Sequence, residues 1–159
     1  MADTIPDLWP TSELESAVLT PIAILRTQAT LLGQKTQGLL RGDVRVTNEK
    51  GKLLLNFDVV APAVNNYRFT LLSVRHPRGA SYPATLYTQT FVTLEKVSAS
   101  KGAYVPDSET AYTDQQFIAL VQEVLQAPET IARLQSLIVR SNSEAMRKQS
   151  VLRLRRMKT

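Results

Sequence analysis

The chain has 159 residues, 43% of them hydrophobic, which suits one globular domain with a core of its own. It has no cysteine and one histidine, which excludes disulfides, thiolate chemistry and histidine-cluster metal sites. The net charge of +5 sits at one end: the last twenty residues carry seven basic side chains against Glu144 alone, while the other 139 are nearly neutral. A neutral body with a cationic end suits a domain that meets a polyanion or a partner through its C-terminus.

Residues 1–11 read as an extended arm in which Pro6 and Pro10 bracket Trp9, the only tryptophan. The expected role of a lone aromatic so placed is an anchor on its own domain, with a hook for a partner as the alternative. The arm is acidic and has no apolar core segment, so no secretory signal is expected. No apolar run is long enough to span a bilayer. The expectation is a soluble, cytoplasmic protein.

Ser12 and Glu15 have capping-box spacing and predict a short helix that Pro21 prevents from running far. Thr20 and Pro21 then suit the N-cap and first position of a longer helix. Ile22, Leu25, Ala29 and Leu32 form its apolar stripe, and Gly33 either ends or weakens it.

The middle of the chain reads as an antiparallel meander of about five strands. Leu40, Gly42, Val44 and Val46 alternate with polar residues, as do Leu53, Leu55, Phe57, Val59 and Ala61. Asn48 to Gly51 and Asn65–Asn66 are turns. The apolar face switches between Leu71 and Leu72, which predicts a β-bulge or a strand buried on both sides. Weaker strands are expected at Ala84–Thr88 and Phe91–Val97, then a polar loop from Ser98 to Pro106.

Thr113 and Gln116 form a second capping box, before a helix with an apolar face from Phe117 to Leu125. Pro128 opens another helix, with its stripe at Ile131, Leu134, Leu137 and Ile138. Ser141-Asn142-Ser143 is expected to interrupt it. The fold class is therefore α+β: an N-terminal helix, a five-strand meander, two C-terminal helices packed on the sheet and a basic tail. Residues 1–142 form the single domain, and 143–159 are a flexible segment or an induced helix with Ser143 as its cap.

Function is less legible. Arg75, His76 and Arg78 cluster at a strand end, where a histidine and two arginines can serve acid–base chemistry on a phosphodiester. The same residues suit an ordinary exposed turn. Asp43 and Asp58 approach each other if the first hairpin closes at Asn48–Gly51. The acid-any-lysine signature of a metal nuclease is missing, however, and Asp43 fits cross-strand pairing with arginines better. Glycine-rich phosphate loops and nucleophile elbows are absent, so no cofactor and no metal are expected.

The strongest candidates are the basic residues Arg140, Arg147, Lys148, Arg153, Arg155, Arg156 and Lys158. The segment has no aromatic residue for base stacking, so contact with nucleic acid is expected to be electrostatic and sequence-tolerant. Arg41, Arg45, Lys50 and Lys52 extend that surface or simply solvate a sheet edge. The leading expectation is a non-enzymatic binding module that touches nucleic acid through its tail and meets a protein partner or itself through its body. One alternative is a small-ligand or hydrolytic domain using the concave sheet face near His76. Another is a structural subunit whose tail orders in an assembly.

Overall fold

A computed structural model of the chain describes residues 4–10, 18–88 and 107–157. The predicted helix at Ser12–Glu15, the strand at Phe91–Val97, the loop at Ser98–Pro106 and Lys158 lie outside those residues.

The first helix, α1, spans Pro21–Lys35, and Thr20 caps it by accepting from the Ala23 N–H at 3.3 Å. Gly33 lies inside it. Five strands follow in an antiparallel sheet with neighbours in chain order: β1 Arg41–Glu49, β2 Lys52–Ala61, β3 Tyr67–Pro77, β4 Ala84–Thr88 and β5 Asp107–Ala111. Lys50 and Gly51 close the β1–β2 hairpin as a two-residue loop with φ of 43° and 81°, the left-handed pair that matches strand twist. The register passes from Phe57↔Leu72 to Asp58↔Thr70, so Leu71 is the extra residue of a bulge. That is the first of the two outcomes the Leu71–Leu72 switch predicts. The fifth strand comes from Asp107–Ala111, a polar stretch with no strand alternation, which pairs along β4 from Thr88↔Asp107 to Ala84↔Ala111.

Helix α2 spans Asp114–Gln126. Thr113 accepts from the Gln116 N–H, and the Gln116 side chain accepts from the Tyr112 N–H, so two donors at the helix start are satisfied. Ala127, extended ahead of Pro128, is the whole joint to α3, Pro128–Met157. These three helices of the described residues pack on one sheet face. The core joins Leu25 of α1, Leu55, Phe57 and Val59 of β2, Leu72 and Val74 of β3, Phe117 of α2 and Leu137 of α3. Arg133 of α3 lays its guanidinium 3.8 Å above the Phe69 ring. Gly42 lets α1 approach β1 closely: a Cβ there would stand 2.5 Å from the Ala29 Cα.

Three expectations change. Helix α3 does not break at Ser141–Ser143. Ser141 is buried, and Ser143 satisfies its hydroxyl by donating to the Val139 carbonyl at 3.1 Å, so it is internal to the helix rather than its cap. The docking face of α3 keeps Leu134, Leu137 and Ile138 of the expected stripe and adds the buried Thr130 and Ser141, while Ile131 is 41% exposed. Trp9 is 72% exposed rather than buried as an anchor against the described body.

Candidate nucleic-acid interface

Helix α3 has 30 residues, about 45 Å of rod. Its first half is held by the body through Thr130, Leu134, Leu137, Ile138 and Ser141. Glu144 and Ala145 are half-buried, and every residue from Met146 to Met157 is exposed. The sequence keeps the rod helical through residues of good propensity, Met, Arg, Lys, Gln and Leu, and has no glycine or proline after Pro128. Arg155 and Arg156 lie in its last turn, where cations complement the helix dipole.

The exposed rod carries Arg147, Lys148, Arg153, Arg155 and Arg156, and Arg140 is exposed one turn before it leaves the body. At 100° per residue, Lys148 and Arg155 lie nearly in line, while Arg147, Arg153 and Arg156 point in other directions. Positive charge therefore surrounds the rod rather than forming one stripe. Arg147 stands 3.8 Å from Glu144 in an exposed i,i+3 pair that neutralises little. Met146, Leu152, Leu154 and Met157 are exposed among these cations.

The strand-end cluster is arranged differently. Arg75 and His76 are consecutive on β3 and so point to opposite faces of the sheet. Arg75 stands 3.6 Å from Glu49 and 5.5 Å from the centre of the Tyr87 ring. His76 is buried, and its Nδ1 lies 2.8 Å from the Pro77 carbonyl and 2.9 Å from that of Ala80. Both partners are acceptors, so Nδ1 carries the hydrogen and ties down the turn after β3. Arg78 is exposed in that turn. A hollow of about 260 Å³ on the face away from the helices is lined by Leu54, Thr70, Ser73, Arg75 and Tyr87; His76 is not among its walls. The three side chains are not gathered into one site.

Asp43 and Asp58 do meet, as directly opposed partners of β1 and β2. The group between them is a guanidinium: Arg68 NH1 lies 3.0 Å from Asp43 and 2.9 Å from Asp58. Arg45 Nε donates to Asp58 at 2.6 Å, and the Thr70 hydroxyl donates to it at 2.7 Å. Burial alone would raise the Asp58 pKa, but hydrogen bonds from Arg45, Thr70 and Arg68 outweigh it and hold the carboxyl below its ordinary range. Asp58 is wholly buried beneath those arginine arms. This cluster ties three strands together. Among the described residues no group of three or more His, Asp or Glu side chains is arranged to hold a metal, and no helix is long and apolar enough to cross a membrane.

No protein-family model, no curated protein and no solved structure matches the chain.

Proposed function

We propose that the protein is a non-enzymatic cytoplasmic binding module that grips nucleic acid, without sequence preference, through the projecting end of α3. The observation that carries this reading is the projecting rod itself. About 18 Å of helix beyond Ala145 presents five cationic side chains around its circumference and only exposed neighbours. Duplex DNA carries one phosphate charge per roughly 1.7 Å of its axis, so a rod of that length laid along a groove faces about ten phosphates. Arginine and lysine contact phosphate oxygens whatever the base, and the rod has no aromatic side chain to stack on bases. The body would then be the platform that aims the rod.

The test is a titration of mixed-sequence duplex DNA and single-stranded RNA with the intact protein and with a variant in which Arg147, Lys148, Arg153, Arg155 and Arg156 are glutamine. The reading expects both nucleic acids to bind the intact protein and neither to bind the variant. Equal binding by the two proteins would remove it.

A second reading rests on the apolar side chains of the same rod. Met146, Leu154 and Met157 are each at least 60% exposed. Exposed apolar groups on a cationic helix also suit docking into an acidic protein surface within an assembly. That reading expects residues 143–157 to be cut readily by protease in the isolated protein and protected in a complex that survives nuclease treatment.

A further inference from the structure

Among the described residues strand β1 pairs only with β2, so its other edge is open. The two-residue turn at Lys50–Gly51 fixes which backbone groups that edge offers. Glu49 and Lys52 flank the turn as the first bonded pair, and the ladder alternates from there. Arg45, Asp43 and Arg41 therefore direct their N–H and C=O groups to β2. Val46, Val44 and Gly42 direct theirs outward, along the open edge.

Helix α1 runs back above this edge. A Cβ on Gly33 would stand 3.9 Å from the Leu40 carbonyl oxygen, and one on Gly42 would meet Ala29. Between helix and edge lies an open groove of about 460 Å³. Arg26, Thr30 and Gly33, on one face of α1, form its upper wall, and Arg41, Gly42 and Val44 form the lower one. The two glycines let a further backbone come close. The charge of the groove is unbalanced. Arg26 and Arg41 are exposed, and neither meets an acidic side chain among the described residues. Asp43, the one acid in the groove, already holds Arg68 at 3.0 Å.

These features select one kind of occupant. A phosphate backbone can accept from N–H groups and arginines, but it leaves the edge carbonyls without donors. An extended peptide supplies donors and acceptors in alternation, at the spacing of the edge itself. A second β1 carries as many arginines as acids, so it does not answer two unpaired cations. We propose that the β1 edge takes up an extended acidic peptide of a protein partner as an added strand. Its main chain bonds Gly42, Val44 and Val46, and its aspartate or glutamate side chains meet Arg26 and Arg41. This surface shares no residue with the end of α3, and the inference does not depend on nucleic-acid binding.

The probe is a pool of capped, fluorophore-labelled heptapeptides drawn from aspartate, glutamate, valine, threonine and alanine, followed by anisotropy. It is titrated with the intact protein and with the full chain whose five rod cations are glutamine, because acidic peptides also meet the rod. Saturable binding to both is expected. Arg26→Gln together with Arg41→Gln should weaken it at least about fivefold, the scale of two exposed ion pairs. Both side chains are exposed, so the double variant keeps its circular dichroism. A second pool, with prolines at the third and fourth positions, should lose binding whichever side it turns to the edge, since it lacks the donors. With the acidic pool bound, amide hydrogen exchange should slow at Gly42, Val44 and Val46 and stay unchanged at Asp43 and Arg45, which already bond to β2. Four results would overturn the proposal. The first is loss of peptide binding in the rod variant, which puts the peptide on α3. The second is equal binding by the proline pool, which leaves charge attraction without strand pairing. The third is exchange at Gly42, Val44 and Val46 that slows with protein concentration alone, which makes a second copy the occupant. The fourth is a double variant that loses duplex DNA binding but keeps the peptide, which makes phosphate the occupant.

Discussion

Replacing Asp58 gives the sharpest test of how the sheet is held. Its side chain accepts from Arg45, Arg68 and Thr70 while wholly buried, yet Arg45 and Arg68 are themselves 49% and 40% exposed. Breaking a fully buried ion pair costs about 3–5 kcal/mol. Here the arginines regain water when the carboxylate goes, so each lost ionic contact is worth about 1 kcal/mol or less. The Thr70 bond adds about 1 kcal/mol. Asp58→Ala should therefore destabilise the protein by about 3 kcal/mol, or roughly 6–12 °C in Tm for a domain of this size. Asp58→Asn keeps an oxygen for the arginines, and Thr70 can rotate to accept from the new amide. It should cost about half as much. The assay is urea unfolding followed by circular dichroism between pH 7 and pH 2.5. Because the folded carboxyl is held below its ordinary pKa, the unfolded chain takes up the proton first as the pH falls. The stabilisation is present above about pH 4, the unfolded value, and is lost as the pH drops through the folded one. The gap between wild type and Asp58→Asn should close in that acid range. An Asp58→Ala protein within about 0.5 kcal/mol of wild type at pH 7, or a gap unchanged down to pH 2.5, would refute the reasoning.

Two further predictions concern packing and alkaline pH. Gly42→Ala should cost about 1–3 kcal/mol in thermal or chemical unfolding, because the new Cβ meets backbone as well as side chain of Ala29. Adding Ala29→Gly should recover only part of that, since the 2.5 Å approach to the Ala29 Cα remains. Burial, and then the neighbouring Asp114 carboxylate, push the Tyr82 hydroxyl up to about 12. The unfolded chain loses that proton near pH 10, so the contribution of Tyr82 is intact below pH 10 and lost as the pH rises toward 12. An ultraviolet titration should find one tyrosine ionising late, and Tyr82→Phe should abolish that step.

Local signals in the sequence were legible where the chemistry is local. Thr20-Pro21, Thr113 with Gln116, and Lys50-Gly51 each act within four residues, and each forms the cap or turn it predicts. The bulge at Leu71 was legible because a period-two pattern has to slip where two apolar residues adjoin. What escaped depends on distant partners. Asp58 alternates onto the face away from the helices, and nothing beside it in the sequence tells that arms from residues 13 and 10 positions away cover it. Asp107–Ala111 has no strand pattern of its own and becomes β5 because β4 offers an edge. Ser141 reads as a helix breaker, whereas small side chains at Thr130 and Ser141 are what a closely docked helix face accommodates. Trp9 resembles a core anchor by residue type alone, and type does not say which surface it meets. Of the candidate site, the positive charge of the tail was plain from composition. Its continuation from a docked helix was not, because the three residues at the junction are individually weak helix formers.

The most direct measurement is the salt dependence of duplex DNA binding by the intact protein. With three to five of the exposed cations on phosphates, log K should fall against log salt with a slope of about −2.7 to −4.5. Between 50 and 200 mM salt that is a loss of roughly 40- to 500-fold. Removing residues 143–159 should abolish the binding. A flat salt response, or unchanged binding after that removal, would contradict the proposal that the end of α3 grips a phosphate backbone.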